Sequence, residues 1–341
     1  MFSRLSPQKL LSLRCSTSYT NVTKGFNRQT KTSKLLLKNE NVAEVTETTS
    51  NLTAKCLIKP LIFTISFSGC TFVAASIWQY EEMRKFAQTF MAKQTSPFKY
   101  LESHYKRSEF RQQINAWWQR QSEGQKVASV IIGLNLGVFL LWRIPALYPF
   151  MRKYFSASPS IRGSCLPMFL STFSHYSFFH LAANMYVLYS FSGTAVSFFG
   201  KEQFVALYCS AGVISSFTSY VYKVMSGRLV TSLGASGALM AVLSSMCLQF
   251  PNIPLQIIFF PFFTFSAGQA IKAIMTLDLI GLIAKWKLFD HAAHLGGASC
   301  GMLYLTYGQD YIWNKRERLF TWYHNIRERK SDCAMNGIDF K

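Results

Sequence analysis

The sequence predicts an all-α, polytopic membrane protein: one N-terminal transmembrane helix followed by a bundle of six. Three observations lead there. Of 341 residues, 50% are hydrophobic and 16% aromatic, an aromatic share that is high for a soluble protein. The apolar residues gather in seven windows, each close to the about 20 residues that one bilayer crossing needs. The net charge of +20 lies outside those windows, at the ends and in the connections, and no basic face is interleaved with aromatics. That pattern favours a membrane protein over a nucleic-acid binder.

The chain opens on residues 1–39, with eight Lys or Arg, eleven Ser or Thr and no acid. This is the composition of a mitochondrial transit peptide; a secretory signal would need an uninterrupted apolar stretch. Residues 1–56 therefore read as leader and matrix-facing segment. The first span follows at 57–78, then a polar connection, 79–126, with nine basic and five acidic residues. The six-helix domain covers 127–307, with spans at 127–147, 178–198, 202–222, 232–250, 267–284 and 289–307. Between its fourth and fifth spans, "PNIPLQIIFFPFFTFS" carries three prolines. They argue against a straight helix and for an irregular or re-entrant connection protected by protein. Residues 308–341 form a polar tail. No repeat of 20–50 residues is visible, so neither a solenoid nor a duplicated transporter is supported. The eight cysteines are dispersed, without a zinc or disulfide pattern.

Seven crossings place the termini on opposite sides. With the N-terminus in the matrix, the connections 148–177, 223–231 and 285–288 face it too. They hold Arg152, Lys153, Arg162, Lys223, Arg228, Lys285 and Lys287 and no acid, whereas the short connections opposite hold only Lys201 and Glu202. This is the asymmetry of the positive-inside rule.

Ionisable groups inside spans are costly and mark function. In "TSLGASGALMA", Gly234, Ala235, Gly237, Ala238 and Ala241 surround Ser236 with little bulk; in "FDHAAHLGGASCG", His294 precedes Gly296, Gly297 and Gly301. Two such bare faces pack closely, bringing the Ser236 hydroxyl within about 3 Å of the His294 imidazole, the base a serine nucleophile requires. His180 and Asn184, four apart in "HYSFFHLAANMY", share one helical face and supply hydrogen-bond donors for an oxyanion.

These residues carry a resemblance. Asn184 with His180, the G-x-S-G of Gly234 to Gly237, and His294 with Gly301 seven residues on resemble, in order and on corresponding spans, the three signatures of the rhomboid intramembrane serine proteases. The likeness covers about residues 127–307. The extra first helix, the leader and "FDHAAHLGG" make the chain similar in particular to the mitochondrial presenilin-associated rhomboid-like subgroup. The resemblance implies a Ser236/His294 dyad and an oxyanion site from His180, Asn184 and the Ser236 backbone N–H. It further implies packing glycines at 234, 237, 297 and 301, and cleavage of single-span membrane proteins in the mitochondrial inner membrane. It implies neither cofactor nor metal, and the partners expected are substrate and lipid bilayer, not nucleic acid. His175 falls where the family has a histidine supporting the first loop, a structural role.

Met240 stands four residues after the serine, where bacterial rhomboids commonly have a tyrosine that stacks on the imidazole; a thioether in its place would lie against the ring. Asp290 reads as an interfacial helix-start residue, Asp278 as an intramembrane carboxylate in a hydrogen-bonded neutral or a partnered state, and His291 as a spectator near the interface. A zinc protease is the nearest chemical rival, but His291 and His294 lack the spacing and intervening Glu of H-E-x-x-H. A second rival is an inactive rhomboid-like protein that binds transmembrane helices. Because Ser236 and His294 both stand near the starts of their spans, the site is expected to open toward the matrix, with "KWKLF" (285–289) as part of its cover.

Overall fold

The computed structural model describes residues 54–95, 109–159, 164–228, 230–257, 260–287 and 289–335. The leader at 1–39, and Arg162 in the first loop, lie outside them. The fold is helical, as the sequence predicts, and each predicted window contains a helix.

Helix α1, Ile58–Thr95, begins with Pro60 in its first turn and runs well past the predicted end at residue 78. The extension has no Gly or Pro to stop it, and Lys85 pairs with Glu82 one turn away. After α2, Glu109–Arg120, helix α3 covers Glu123–Leu141 and starts on a capping box between Ser122 and Gln125. Short helices α4, Tyr148–Tyr154, and α5, Pro167–Leu170, interrupt the loop that follows. Helices α6, Phe178–Phe199, and α7, Lys201–Ser226, meet at Gly200, and α7 ends on the left-handed Gly227. Helix α8 is Ser236–Gln249, and α9 is Ala267–Ile283 with a second capping box at Ser266 and Gln269. Helix α10, His291–Leu303, continues as a π-helical stretch, Tyr304–Trp313, and the chain closes with α11, Glu317–Met335.

By length and apolarity alone, α1, α3 and α7 qualify as membrane spans. The others are shorter or carry Ser, Asn, His and Gly toward the bundle interior. Helix α7 is the central post: two-thirds of its apolar window is buried, far more than in α1 or α3. The main core joins Phe204, Leu207 and Tyr208 of α7 to Leu181 and Leu188 of α6, Ala238, Leu239 and Val242 of α8, and Phe72 of α1.

Successive helices alternate in direction, and the bonds at each end of the bundle show it. At one end Ala157 pairs with Ser232, and Arg228 donates to the Lys285 carbonyl. At the other, Lys201 reaches Glu82 and Glu123, while Tyr80 meets His324.

Three expectations need correction. The proline-rich connection is a β-hairpin, β1 Pro254–Ile257 against β2 Phe260–Ser266, with a register shift at Gln256/Ile257. It is not protected by protein, since Phe262 is 93% exposed. The span expected from residue 232 becomes helical only at Ser236, because Ser232 pairs with Ala157 as extended backbone and Gly234 adopts φ 134°. Lys223, counted above as a connection charge, lies inside α7 and is buried.

Candidate active site

The segment before α8 is fastened on both sides. Ser232 and Ala157 exchange backbone hydrogen bonds of 2.8 Å each way, and the Gly234 N–H donates to the Ser171 carbonyl at 2.9 Å. Gly234 holds a left-handed backbone that a side chain would strain, and a Cβ there would stand 2.8 Å from His180 Cε1. The first glycine of G-x-S-G therefore packs against a histidine ring. Ser236 follows as the first residue of α8, where first-turn N–H groups have no intrahelical acceptor.

Helices α8 and α10 touch backbone to backbone. A Cβ on Gly297 would collide with the Gly237 carbonyl, and one on Gly301 with the Ala241 carbonyl. Two serines of α8 stitch the contact: Ser244 donates to the Ala298 carbonyl at 2.8 Å and Ser245 to the Gly301 carbonyl at 3.0 Å. This is the close approach that small residues allow in membranes.

The approach brings Ser236 Oγ to 2.9 Å from His294 Nε2. The other ring nitrogen, Nδ1, lies 3.1 Å from Asp278 Oδ1 on α9. An ionised carboxylate only accepts, so the network assigns the proton to Nδ1 and leaves Nε2 free to receive the serine hydroxyl's hydrogen. His291 Nδ1 reaches the same carboxylate oxygen at 2.7 Å. His291 is therefore no interfacial spectator: it is buried against Gly281 and shares Asp278 with His294. Asp278 is partnered, as expected, but its partners include the predicted base. Asp290 starts a helix as expected: it caps α10 by accepting from the Ala293 N–H.

The Phe289 ring stands beside His294, with 6.1 Å between centroids. Met240 is buried with Cys247, Ala267, Ile271 and Ala298. Phe289 and Trp286, both from "KWKLF", also stand 6.2 and 6.0 Å from the His291 ring. That part of the expected cover does lie against the histidines.

On the opposite side, His175 is fully buried in the loop before α6. Its Nε2 accepts from the Asn184 amide at 2.8 Å and from the Ala235 N–H at 3.3 Å. Burial, reinforced by His180 5.0 Å away, pushes its imidazole down to about 3, which keeps it neutral and able to accept both. Asn184 is thus joined through His175 to the residue before Ser236, while His180 lies against Gly234. Four elements, α6, α8, α9 and α10, converge on one serine. Among the described residues no group of three or more His, Cys, Asp and Glu is arranged to hold a metal ion.

Comparison with known proteins shows the family. The rhomboid domain profile matches residues 162–310. The human presenilin-associated rhomboid-like protein, mitochondrial, is 51% identical over 273 residues, 80% of this chain and 72% of the relative. The zebrafish (Danio rerio) presenilin-associated rhomboid-like protein A, mitochondrial, is 46% identical over 289 residues, 80% of this chain and 76% of its own. Rhomboid protein 1, mitochondrial, of Saccharomyces cerevisiae is 29% identical over 235 residues, 68% and 62% of the two chains. With half its residues shared over four-fifths of its length, this polytopic membrane protein belongs to the rhomboid family.

Proposed function

We propose that the chain is an intramembrane serine endopeptidase that cleaves single-span membrane proteins within or near their transmembrane segments. One observation carries this reading: Ser236 Oγ, His294 and Asp278 form a continuous chain of 2.9 and 3.1 Å contacts inside an apolar bundle. A hydroxyl, a neutral imidazole and a carboxylate in that sequence are the parts of a serine hydrolase relay, whatever fold presents them.

In the proposed reaction the substrate helix unwinds locally so that an extended peptide reaches Ser236. His294 Nε2 takes the hydroxyl proton as Oγ attacks the carbonyl, and Asp278 stabilises the imidazolium through Nδ1–H. The oxyanion faces the Ser236 N–H, His180 and Asn184, and each donor in such a dry site contributes about 3–4 kcal/mol. Asn184 must exchange its His175 partner for the oxyanion. His294 then protonates the leaving amine, and a water molecule activated by His294 releases the acyl group.

The names of the relatives and the basic leader support a mitochondrial location, and we assign the chain to the inner membrane with its N-terminus in the matrix. Lys223 drops out of the charge argument because it is buried, but Arg152, Lys153, Arg162, Arg228, Lys285 and Lys287 still favour that side. The active site then opens toward the matrix. Two measurements test these statements. Wild type reconstituted with a single-span substrate releases product and Ser236→Ala does not; equal product from both overturns the proteolytic reading. A cysteine at position 228 is labelled from the matrix; labelling from the intermembrane space overturns the orientation.

A further inference from the structure

We infer that Lys223 is a positioning residue for the Ser236/His294 pair, a buried ammonium that holds the serine segment and the histidine helix in register. Lys223 projects from the last turns of α7 and is 5% exposed. Its Nζ lies 3.3 Å from Asp290 Oδ2 and donates to Ser232 Oγ. Ser232 Oγ donates in turn to Asp290 Oδ2, and Ser219, one turn before Lys223, donates to the same oxygen. The remaining carboxylate oxygen, Oδ1, caps α10 through the Ala293 N–H at 3.1 Å.

The placement of these groups matters more than their number. Ser232 stands four residues before Ser236, and Asp290 four residues before His294. Ser236 and His294 come from segments far apart in the chain, and each is reached by a short tether from the same buried cation. Ser232 cannot shift without breaking its two backbone bonds to Ala157, and Asp290 cannot shift without uncapping α10. A displacement of either tether is passed to the 2.9 Å contact between Ser236 and His294, and about 1 Å of misplacement at reacting atoms costs about 100-fold in rate. Helix α7 grips the base helix's approach at two further points: the Tyr222 hydroxyl donates to the Leu282 carbonyl at 3.2 Å, and Arg228 to the Lys285 carbonyl at 3.1 Å. Both of those bonds go to backbone oxygens, so Lys223 remains the charged centre of the junction.

The inference rests on the proteolytic reading for its effect on rate, but not for the register itself, and the test separates the two. In Lys223→Met, kcat falls about 100-fold with KM within about threefold, and Lys223→Arg recovers most of the loss. Independently of activity, hydrogen exchange of the 230–235 and 289–294 amides quickens about tenfold in Lys223→Met while α3 is unchanged. Should Lys223→Met fail to fold, the double variant Lys223→Met/Asp290→Asn removes both charges yet keeps a capping side chain. It is expected to fold, to remain slow and to show the same faster exchange. Wild-type exchange in a folded variant overturns the inference whatever the protease assay gives. Wild-type kcat in an enzyme whose Ser236→Ala control is inert overturns it as well. An inert wild type with quickened exchange in the variant overturns the proteolytic reading and leaves the register role standing.

Discussion

Asp278 carries two imidazoles on one carboxylate oxygen. The sequence makes the carboxylate visible as an intramembrane acid but hides its partners, which lie 13 and 16 residues away on another helix. The contact between Ser236 and His294 was legible because each sits in a run of small residues that close packing explains. His291 was misread because its neighbours in the chain are basic and aromatic, while its neighbours in space are Asp278 and Gly281. The shared oxygen yields a prediction: Asp278→Asn lowers kcat on the order of 10³- to 10⁴-fold with little change in KM, because the amide no longer fixes the His294 tautomer. Steady-state kinetics on the reconstituted enzyme measures it, and a variant within tenfold of wild type would remove Asp278 from the relay.

His175 gives a second prediction at the same scale, this one in pH. Burial holds its folded imidazole at about 3, below the ordinary 6.5, so the folded protein refuses a proton that the unfolded chain accepts. The sign follows from linkage: stability is complete above about 6.5 and declines as pH falls from there toward 3. Thermal unfolding in detergent between pH 7 and 4.5 is therefore expected to show a falling midpoint, with a shallower fall in His175→Gln.

At the scale of elements, the pairing of α8 with α10 is the contact on which the site depends, and glycines set its distance. Gly297→Ala drives a methyl group into the Gly237 carbonyl, so the helices must part. The expected cost is about 1–3 kcal/mol of stability, together with a loss of activity, since Ser236 and His294 ride on the two separating surfaces. Gly133→Ala on α3 is the control: a Cβ there meets nothing within 4 Å, and alanine should be neutral or stabilising by under about 1 kcal/mol. Thermal melts and initial rates on the two variants check the pair. The periodicity of small residues revealed this contact in advance. The hairpin was harder to foresee, because three prolines forbid a helix without saying what replaces it. Pairing of Leu255 with Phe265 and of Gln256 with Thr264 depends on a turn geometry that apolar composition does not encode.

At the scale of the whole molecule, hydropathy and length alone pick out α1, α3 and α7 as spans, whereas the other windows hold helices that are shorter or more polar. The continuation of α1 to Thr95 was not legible, since a polar helix outside the membrane needs a partner to be stable, and the partner lies at the far end of the sequence. Arg316 donates to Gln79 at 2.6 Å, Tyr323 donates to Glu81 at 3.0 Å, Arg327 pairs with Glu81, and Tyr80 meets His324 at 2.6 Å. These bonds predict that α1 stays attached when its covalent link is cut. A protease site inserted between Thr95 and Glu109, cleaved after purification, should leave the α1 fragment co-eluting with the remainder; separation of the two would contradict it.

The same fastening sets an order of events during synthesis. Helix α1 leaves the ribosome first, yet its extension is completed by residues more than two hundred positions later. Until α11 is made, the extension is tied to the bundle through the Lys201–Glu82 pair but lacks its contacts to the C-terminal helix. Closure of so long a loop adds little to the entropic cost, which grows only logarithmically with length, but it delays the final contact until the last helix is free to bind. The C-terminal helix thus decides when the extension of α1 is finished, although α1 itself is already seated on the bundle through Phe72 and the Glu82–Lys201 pair.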